Sequence, residues 1–193
     1  ADLNGDGHVD LVVANDTVRN FLYLGKGDGT FREEGRSAGI AFDTNGNARG
    51  AMGIDIGRFR NSDELGIAIG NFANETTALY VRRTLADQLP VFQDEAISNG
   101  IAPPTRPELT FGVFFFDSDL DGRLDIFAAN GHLEKDINLV QASQHYEQPP
   151  QLLWNCGAEH ENEFVALEPT HCGEDFVKRM VGRGASFADI DGD

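Results

Sequence analysis

Asp117-Ser118-Asp119-Leu120-Asp121-Gly122-Arg123-Leu124-Asp125 puts carboxylates at positions 1, 3, 5 and 9 of a short loop, with glycine at position 6. Alternating acidic residues in a tight turn can aim three carboxylates at one point. A hard cation such as calcium collects about six to eight oxygens, mostly from carboxylates and carbonyls. Without a cation the carboxylates repel, by roughly 1 kcal/mol per pair at ~4 Å in water. The glycine supplies the sharp bend. The stretch therefore reads as a calcium loop in preference to a solvated acidic turn, although Asp, Asn and Gly favour turns anyway.

The loop recurs. Asp2-Leu3-Asn4-Gly5-Asp6-Gly7-His8-Val9-Asp10 repeats it with Asn4 in place of one Asp, and Asp189 to Asp193 supply the first five positions of a further copy. Each complete loop runs into an apolar stretch that ends in asparagine, at Asn15 and Asn130. Ile67-Ala68-Ile69-Gly70-Asn71 has the same ending, and the same spacing backwards marks a degenerate loop from Arg58 to Gly66. Its positions 1, 3, 5 and 9 are Arg58, Arg60, Ser62 and Gly66, so it keeps no carboxylate at a ligand position. Two readings of its arginines stay open. A guanidinium donates to the loop carbonyls in place of the ion, or both side chains point into solvent.

Around each loop lie short β-branched or aromatic runs bounded by Gly, Asn and Asp, which read as strands. In the third unit these are Gly112–Phe116, Asp125–Asn130, Gln151–Asn155 and Glu163–Leu167. The second unit matches with Gly53–Ile56, Ile67–Asn71, Ala78–Val81 and Val91–Gln93. The first keeps Asp10–Asn15, Asn20–Leu24 and Thr30–Arg32 and lacks its incoming strand. Four antiparallel strands per unit at a period near ~60 residues is the pattern of a β-propeller blade. The expected fold is all-β, an incomplete ring of about three blades, with units at 1–48, 49–109 and 110–182 and the start of another at 183–193. A β-sandwich carrying calcium loops is the second architecture, and the regular repeat disfavours it. Ala1 and Asp193 both fall inside motifs. The sequence accordingly reads as a piece of a longer polypeptide whose remaining blades lie outside it.

These residues resemble the FG-GAP (or VCBS) repeat family, calcium-loop propellers similar to the integrin α-subunit head. The closer resemblance is to secreted proteins grouped with the ASPIC/UnbV domain. It rests on Asp2 to Asn15, Met52-Gly53 through Asn71-Phe72, Phe111-Gly112 through Asn130-Gly131-His132, and Arg183-Gly184 through Asp193. The resemblance implies calcium held by side chains at positions 1, 3 and 5, the carbonyl at 7 and a carboxylate at 9. That maps to Asp2, Asn4, Asp6, His8 and Asp10, to Asp117, Asp119, Asp121, Arg123 and Asp125, and in the truncated copy to Asp189, Asp191 and Asp193. An EF-hand is disfavoured because position 12 is Val13 or Ala128 rather than Glu, and the flanks are strand-like.

A net charge of −17 argues against nucleic-acid partners and against anionic membrane surfaces. No apolar run approaches the ~18 residues of a membrane span. Cys156 and Cys172 pair only if residues 168–172 fold back, since five extended residues reach ~18 Å. The spacing leaves a disulfide open. His160 and His171 beside them fit no common zinc pattern well. Asn15-Asp16-Thr17 and Asn74-Glu75-Thr76 are glycosylation sequons, which also arise by chance.

Residues 131–149 form an insertion where the other units have only short connections. In an up-and-down blade the connections alternate between faces. This puts the calcium loops on one face and the insertion, with the long connections near 35–49, 96–110 and 168–182, on the other. Long loops on a rigid scaffold are where recognition tends to sit, and a solvated elaboration is the plainer reading. No Ser-His-Asp, P-loop or paired-carboxylate motif can be placed in the insertion. The expected function is an extracellular or periplasmic calcium-binding propeller that mediates protein or glycan interaction. The alternative is the propeller domain of a secreted carbohydrate-active enzyme of lyase or dehydratase type, since fold alone does not settle function.

Overall fold

Runs of three to seven residues, β-branched or aromatic and cut by Gly and Asn, are too short for helices and suited to a pleated surface. A computed structural model, which describes residues 1–84 and 88–190, arranges them in three antiparallel sheets. The first holds β1 (Leu11–Val13), β2 (Phe21–Gly25) and β3 (Phe31–Glu33). The second holds β4 (Ala51–Gly57), β5 (Gly66–Asn71), β6 (Ala78–Arg82) and β7 (Phe92–Asp94). One turn of helix, α1 (Ala102–Thr105), precedes the third sheet, β8 (Thr110–Phe116), β9 (Asp125–Asn130), β10 (Gln151–Asn155) and β11 (Phe164–Ala166). Two further single turns are α2 (Ile137–Val140) and α3 (Pro169–Cys172). Each sheet is a meander in chain order. The fold is all-β, built of propeller blades, and the three blades do not close a ring. The first blade lacks its innermost strand, as its sequence implies.

The middle blade is covered on both faces, and its side chains alternate accordingly. Ile67, Ile69, Ala78 and Tyr80 join Leu3, Leu22, Leu24, Ala38 and Ile40 in the core shared with the first blade. Ala68, Leu79 and Val81 join Phe59, Val113, Phe115, Ile126, Leu153 and Phe164 in the core shared with the third. All six residues of β5 are buried, the pattern of a strand packed on both faces. Two of the core side chains come from the acidic loops. Leu3 and Phe59 occupy position 2 of the first and second loops, and both are fully buried. Phe59 packs on Phe115 and Phe164 with ring centroids 6.0 and 5.9 Å apart.

The innermost strands approach closely where glycine precedes each loop. A Cβ on Gly53 would lie 2.3 Å from the Phe111 carbonyl oxygen, and one on Gly112 would lie 3.0 Å from the Cα of Gly184. Residues 184–187 therefore lie along β8 much as β8 lies along β4. Register shifts fall at the same place in both blades, between Ala51 and Ile54 and between Thr110 and Gly112. Phe187 stacks on Phe114 with centroids 5.3 Å apart, on the face of the third blade turned away from the second.

The asparagines that end each second strand close the connections that follow. Asn15 Nδ2 donates to Arg19 O (2.9 Å), Asn71 Nδ2 to Thr76 O (2.6 Å) and Asn130 Nδ2 to Pro149 O (2.9 Å). The long insertion thus starts and finishes at one point, like the short turns. The insertion and the long connections share a face. Gly131 N donates to Leu109 O, Asn74 N to Arg106 O, and Asn74 Nδ2 to Gln141 Oε1. The acidic loops sit at the opposite end.

Gly53→Ala is expected to cost about 1–3 kcal/mol, because backbone blocks the new methyl. Gly184→Ala meets nothing within 4 Å and is expected to stay within about 0.5 kcal/mol of wild type. Urea unfolding of both variants measures this, and equal effects would contradict the close approach of β4 and β8.

Candidate metal centre

The loop at 117–125 runs between β8 and β9. Its turn needs left-handed backbone at positions 4 and 6, where Leu120 has φ 60° and Gly122 φ 88°. Gly5 and Gly7 take the same positions in the first loop with φ 86° and 82°. The two loops thus keep one backbone shape, even where a leucine must adopt a conformation that suits glycine. That shape is held by position 1. Asp117 accepts from Asp121 N (3.1 Å) and Gly122 N (2.8 Å), and Asp2 accepts from Gly5 N (2.7 Å) and Gly7 N (2.9 Å).

Asp117, Asp119 and Asp121 each bring a carboxylate oxygen within 4.8 Å of the others. Among the described residues this is the only such group of three or more His, Cys, Asp or Glu side chains. A cation and a neutral hydrogen-bond donor lie against it. Arg123 at position 7 pairs with Asp121 and donates Nε to Asn155 O (3.0 Å). Trp154 on β10 donates Nε1 to Asp119 Oδ2 (2.8 Å). The trio is exposed or half-buried and consists of hard oxygen donors, a donor set that fits calcium.

Asp125 at position 9 stands apart from the trio. It is buried, and accepts from Ser118 N (3.0 Å), the Ser118 hydroxyl and Asn155 N (2.8 Å). Burial pushes its carboxyl above the usual range, against the lowering effect of these hydrogen bonds. Asp10 does the same work in the first loop, accepting from Leu3 N (2.7 Å) and Gly25 N (2.8 Å). In both loops the ninth residue ties the turn to the strand paired with the one that leaves the loop, β2 in the first blade and β10 in the third, by accepting from its last amide. The first loop has two outer carboxylates. The Asn4 amide and the His8 N–H hold Asp6 below the ordinary carboxylate range. His8 packs its ring over Gly27. Asp189 is described and exposed, while Asp191 and Asp193 lie outside the described residues.

The degenerate loop corrects an expectation. Arg60 does not donate to the loop carbonyls. It crosses to the third blade and grips Glu163 with two hydrogen bonds, Nε to Oε1 (2.7 Å) and Nη2 to Oε2 (2.6 Å). Its Nη1 reaches Glu64 Oε2 (2.9 Å), and Glu95 lies 3.7 Å away. Arg83 pairs with Glu95 in the same network. Glu163, followed by Glu64, holds the Arg60 guanidinium more firmly protonated. Arg58, in contrast, points to solvent beside Asp63. Position 9 has no room for a carboxylate, since a Cβ on Gly66 would meet the Phe59 ring at 2.6 Å. The carbonyl at position 2 is taken by the next blade in both interfaces. Arg82 Nη1 donates to Leu3 O (3.0 Å), and Asn155 Nδ2 to Phe59 O (2.8 Å).

Cys156 and Cys172 are both free thiols. Each points at a carbonyl, Cys156 at Asn162 O (3.1 Å) and Cys172 at Glu168 O (3.4 Å). They form no metal-ligating group with His160 or His171. His132, at the base of the insertion, is buried and accepts at Nδ1 from Glu134 N (3.0 Å). Burial lowers its pKa, so it serves as a neutral structural side chain.

Residues 2–61 match the family model described as FG-GAP-like repeat. That span takes in the first loop, the whole first sheet, β4 and the start of the degenerate loop, and the match supports the FG-GAP repeat family. No curated protein matches the chain.

Arg60→Ala is expected to cost about 3–5 kcal/mol by stranding Glu163 in the interface, where its side chain is 2% exposed. Arg58→Ala is expected within about 0.5 kcal/mol of wild type. Chemical denaturation separates the two, and a mild Arg60→Ala would show that the pair does not hold the blades.

Proposed function

We propose that this chain is a calcium-stabilised propeller scaffold of the extracellular or periplasmic space, binding a protein or glycan partner through its long-connection face. The coarser part, a propeller-type scaffold, follows from the three blades and the FG-GAP-like match. The observation that carries the metal is the convergence of Asp117, Asp119 and Asp121. In the third unit these three would hold calcium, with the Arg123 carbonyl and Asp125 completing the set. In the first unit Asp2, Asn4, Asp6, His8 and Asp10 would do so. Bound calcium would neutralise carboxylates that otherwise repel, and would lock the turns whose position-2 side chains and carbonyls reach into the neighbouring blade.

The chemistry of the loops supports this compartment. Loops of this kind bind at about 10⁻⁴–10⁻³ M in extracellular modules, and such sites fill only where calcium is near millimolar. The reading also agrees with the resemblance to secreted ASPIC/UnbV-associated proteins. Partner recognition is assigned to the long connections because the metal loops are committed to the structure of the blades.

Trp154 is the only tryptophan and donates to Asp119, so it reports on the third loop. Calcium is expected to change its fluorescence and to raise the melting temperature. At ~1 mM calcium and ~10⁻⁴ M affinity each site contributes about 1.4 kcal/mol, or roughly 3–6 °C. Asp119→Ala is expected to abolish the fluorescence response and about half of the thermal shift. Superimposable melts with calcium and with chelator would overturn the metal assignment.

A further inference from the structure

The insertion builds a cleft of its own. Lys135, Asn138, His145, Tyr146 and Glu147 come from residues 131–149, and Arg179 comes from the connection after β11. They line an open cleft of about 510 Å³ on the long-connection face. Its walls are fixed by backbone. Gln148 and Met180 form an antiparallel bridge, with Gln148 N to Met180 O at 2.9 Å and Met180 N to Gln148 O at 3.1 Å. That bridge places Glu147 and Arg179 diagonally across from each other, and Arg179 Nη1 donates to Glu147 O (3.2 Å). Tyr146 is held by its carbonyl, which accepts from His132 N (2.9 Å). Gln148, buried, accepts at Oε1 from Leu109 N (2.9 Å) and so anchors the cleft to the start of β8.

The chemistry of the lining is specific. Lysine is scarce in a chain of 32 acidic residues and net charge −17, yet Lys135, Arg179 and His145 converge here. Lys135 and Arg179 form no salt bridge among the described residues, and Arg179 donates to the Glu147 carbonyl. Glu108 lies within electrostatic reach of Arg179, and burial pushes its carboxyl above the usual range. Lys135 and Arg179 fit an anionic group. Glu147 in the same cleft would repel a multiply charged phosphate and would instead accept from hydroxyls. Asn138 offers an amide for further hydroxyls, and Tyr146 a ring face for stacking.

We propose that this cleft binds an acidic saccharide, its carboxylate or sulfate on Lys135 and Arg179, its hydroxyls on Glu147 and Asn138, and one ring against Tyr146. The proposal rests on recognition lying on the long-connection face and names the ligand for it. The other units close the same connection with five or six residues, so the cleft exists only because the third unit carries the insertion.

Isothermal titration of the whole chain in calcium, with oligogalacturonate, a sulfated oligosaccharide, a neutral glucan oligomer and inorganic phosphate, tests this. One of the two acidic saccharides is expected to bind at least about tenfold more tightly than the neutral glucan and to weaken as salt rises. Lys135→Ala and Arg179→Ala are each expected to reduce that affinity about tenfold or more, with melting temperature unchanged. Tyr146→Phe is expected to stay within about twofold, while Tyr146→Ala weakens binding. Lys135 carries no structural bond, so its variant stays informative if Arg179→Ala perturbs the bridge. Equal binding of the neutral glucan, full competition by phosphate, or affinity indifferent to Lys135 and Arg179 would each overturn the cleft assignment. Absence of any saccharide binding alongside an intact calcium response would overturn the cleft and leave the scaffold standing. Loss of the calcium response with saccharide binding retained would do the reverse.

Discussion

A blade of four short strands has two apolar faces and cannot bury either alone. The middle blade resolves this by lying between two others, with Ile67 and Ile69 turned to one neighbour and Ala68 and Val81 to the other. The rest of the structure depends on this two-sided burial, because it requires the blades to meet at a fixed distance. Gly53 and Gly112 allow the inner strands to close, and Leu3 and Phe59 reach out of their loops to fill the layer between blades. The acidic loops are therefore not surface ornaments. Their second residue is part of the core, and the turn must be stiff for that residue to stay in place.

Three loops at equivalent positions of the repeat differ in their chemistry. The third gathers a carboxylate trio, and the first has two carboxylates and an amide. The second has neither, and in it Phe59 fills the volume that a position-9 side chain would take, while Arg60 bonds to Glu163 on the next blade. A bidentate guanidinium–carboxylate pair supplies geometric specificity that a solvated charge does not. It also moves the anchoring point: a cation ties a loop to itself, whereas Arg60 ties one blade to another. The degenerate loop thus replaces a cluster of carboxylates by a bond between two blades.

The strands were legible because their signal is local. Asp125–Asn130 and Gln151–Asn155 follow directly from apolar runs bounded by turn residues. The register of the loops was legible because the repeat fixes it, and Gly66 falls where an Asp stands in the other copies. What local pattern did not carry was the pairing of distant residues. Nothing near Arg60 announces Glu163, about a hundred positions away, and nothing near Asp119 announces Trp154. The apolar residue at position 2 was visible in Asp2-Leu3-Asn4 and Arg58-Phe59-Arg60, and an apolar side chain wedged between polar ones in a turn is a sign that the turn is packed against something. The third loop has Ser118 there, which is exposed and bonds to Asp125.

The asparagine that ends each second strand shows how the same scaffold accommodates very different elaborations. Asn15, Asn71 and Asn130 each donate to a carbonyl at the far end of the following connection, across five or six residues in two blades and across the whole of 131–149 in the third. Because the two ends are pinned to one point, the length between them is nearly free of consequence for the blade, as loop-closure entropy grows only slowly with length. The insertion can therefore carry a cleft without disturbing the sheet beneath it. The opposite face has no such freedom, since its loops reach into the core and into the next blade. Loop elaboration and structural anchoring are thus separated by the direction in which the strands run, with the long insertion on the face where it does not cost packing.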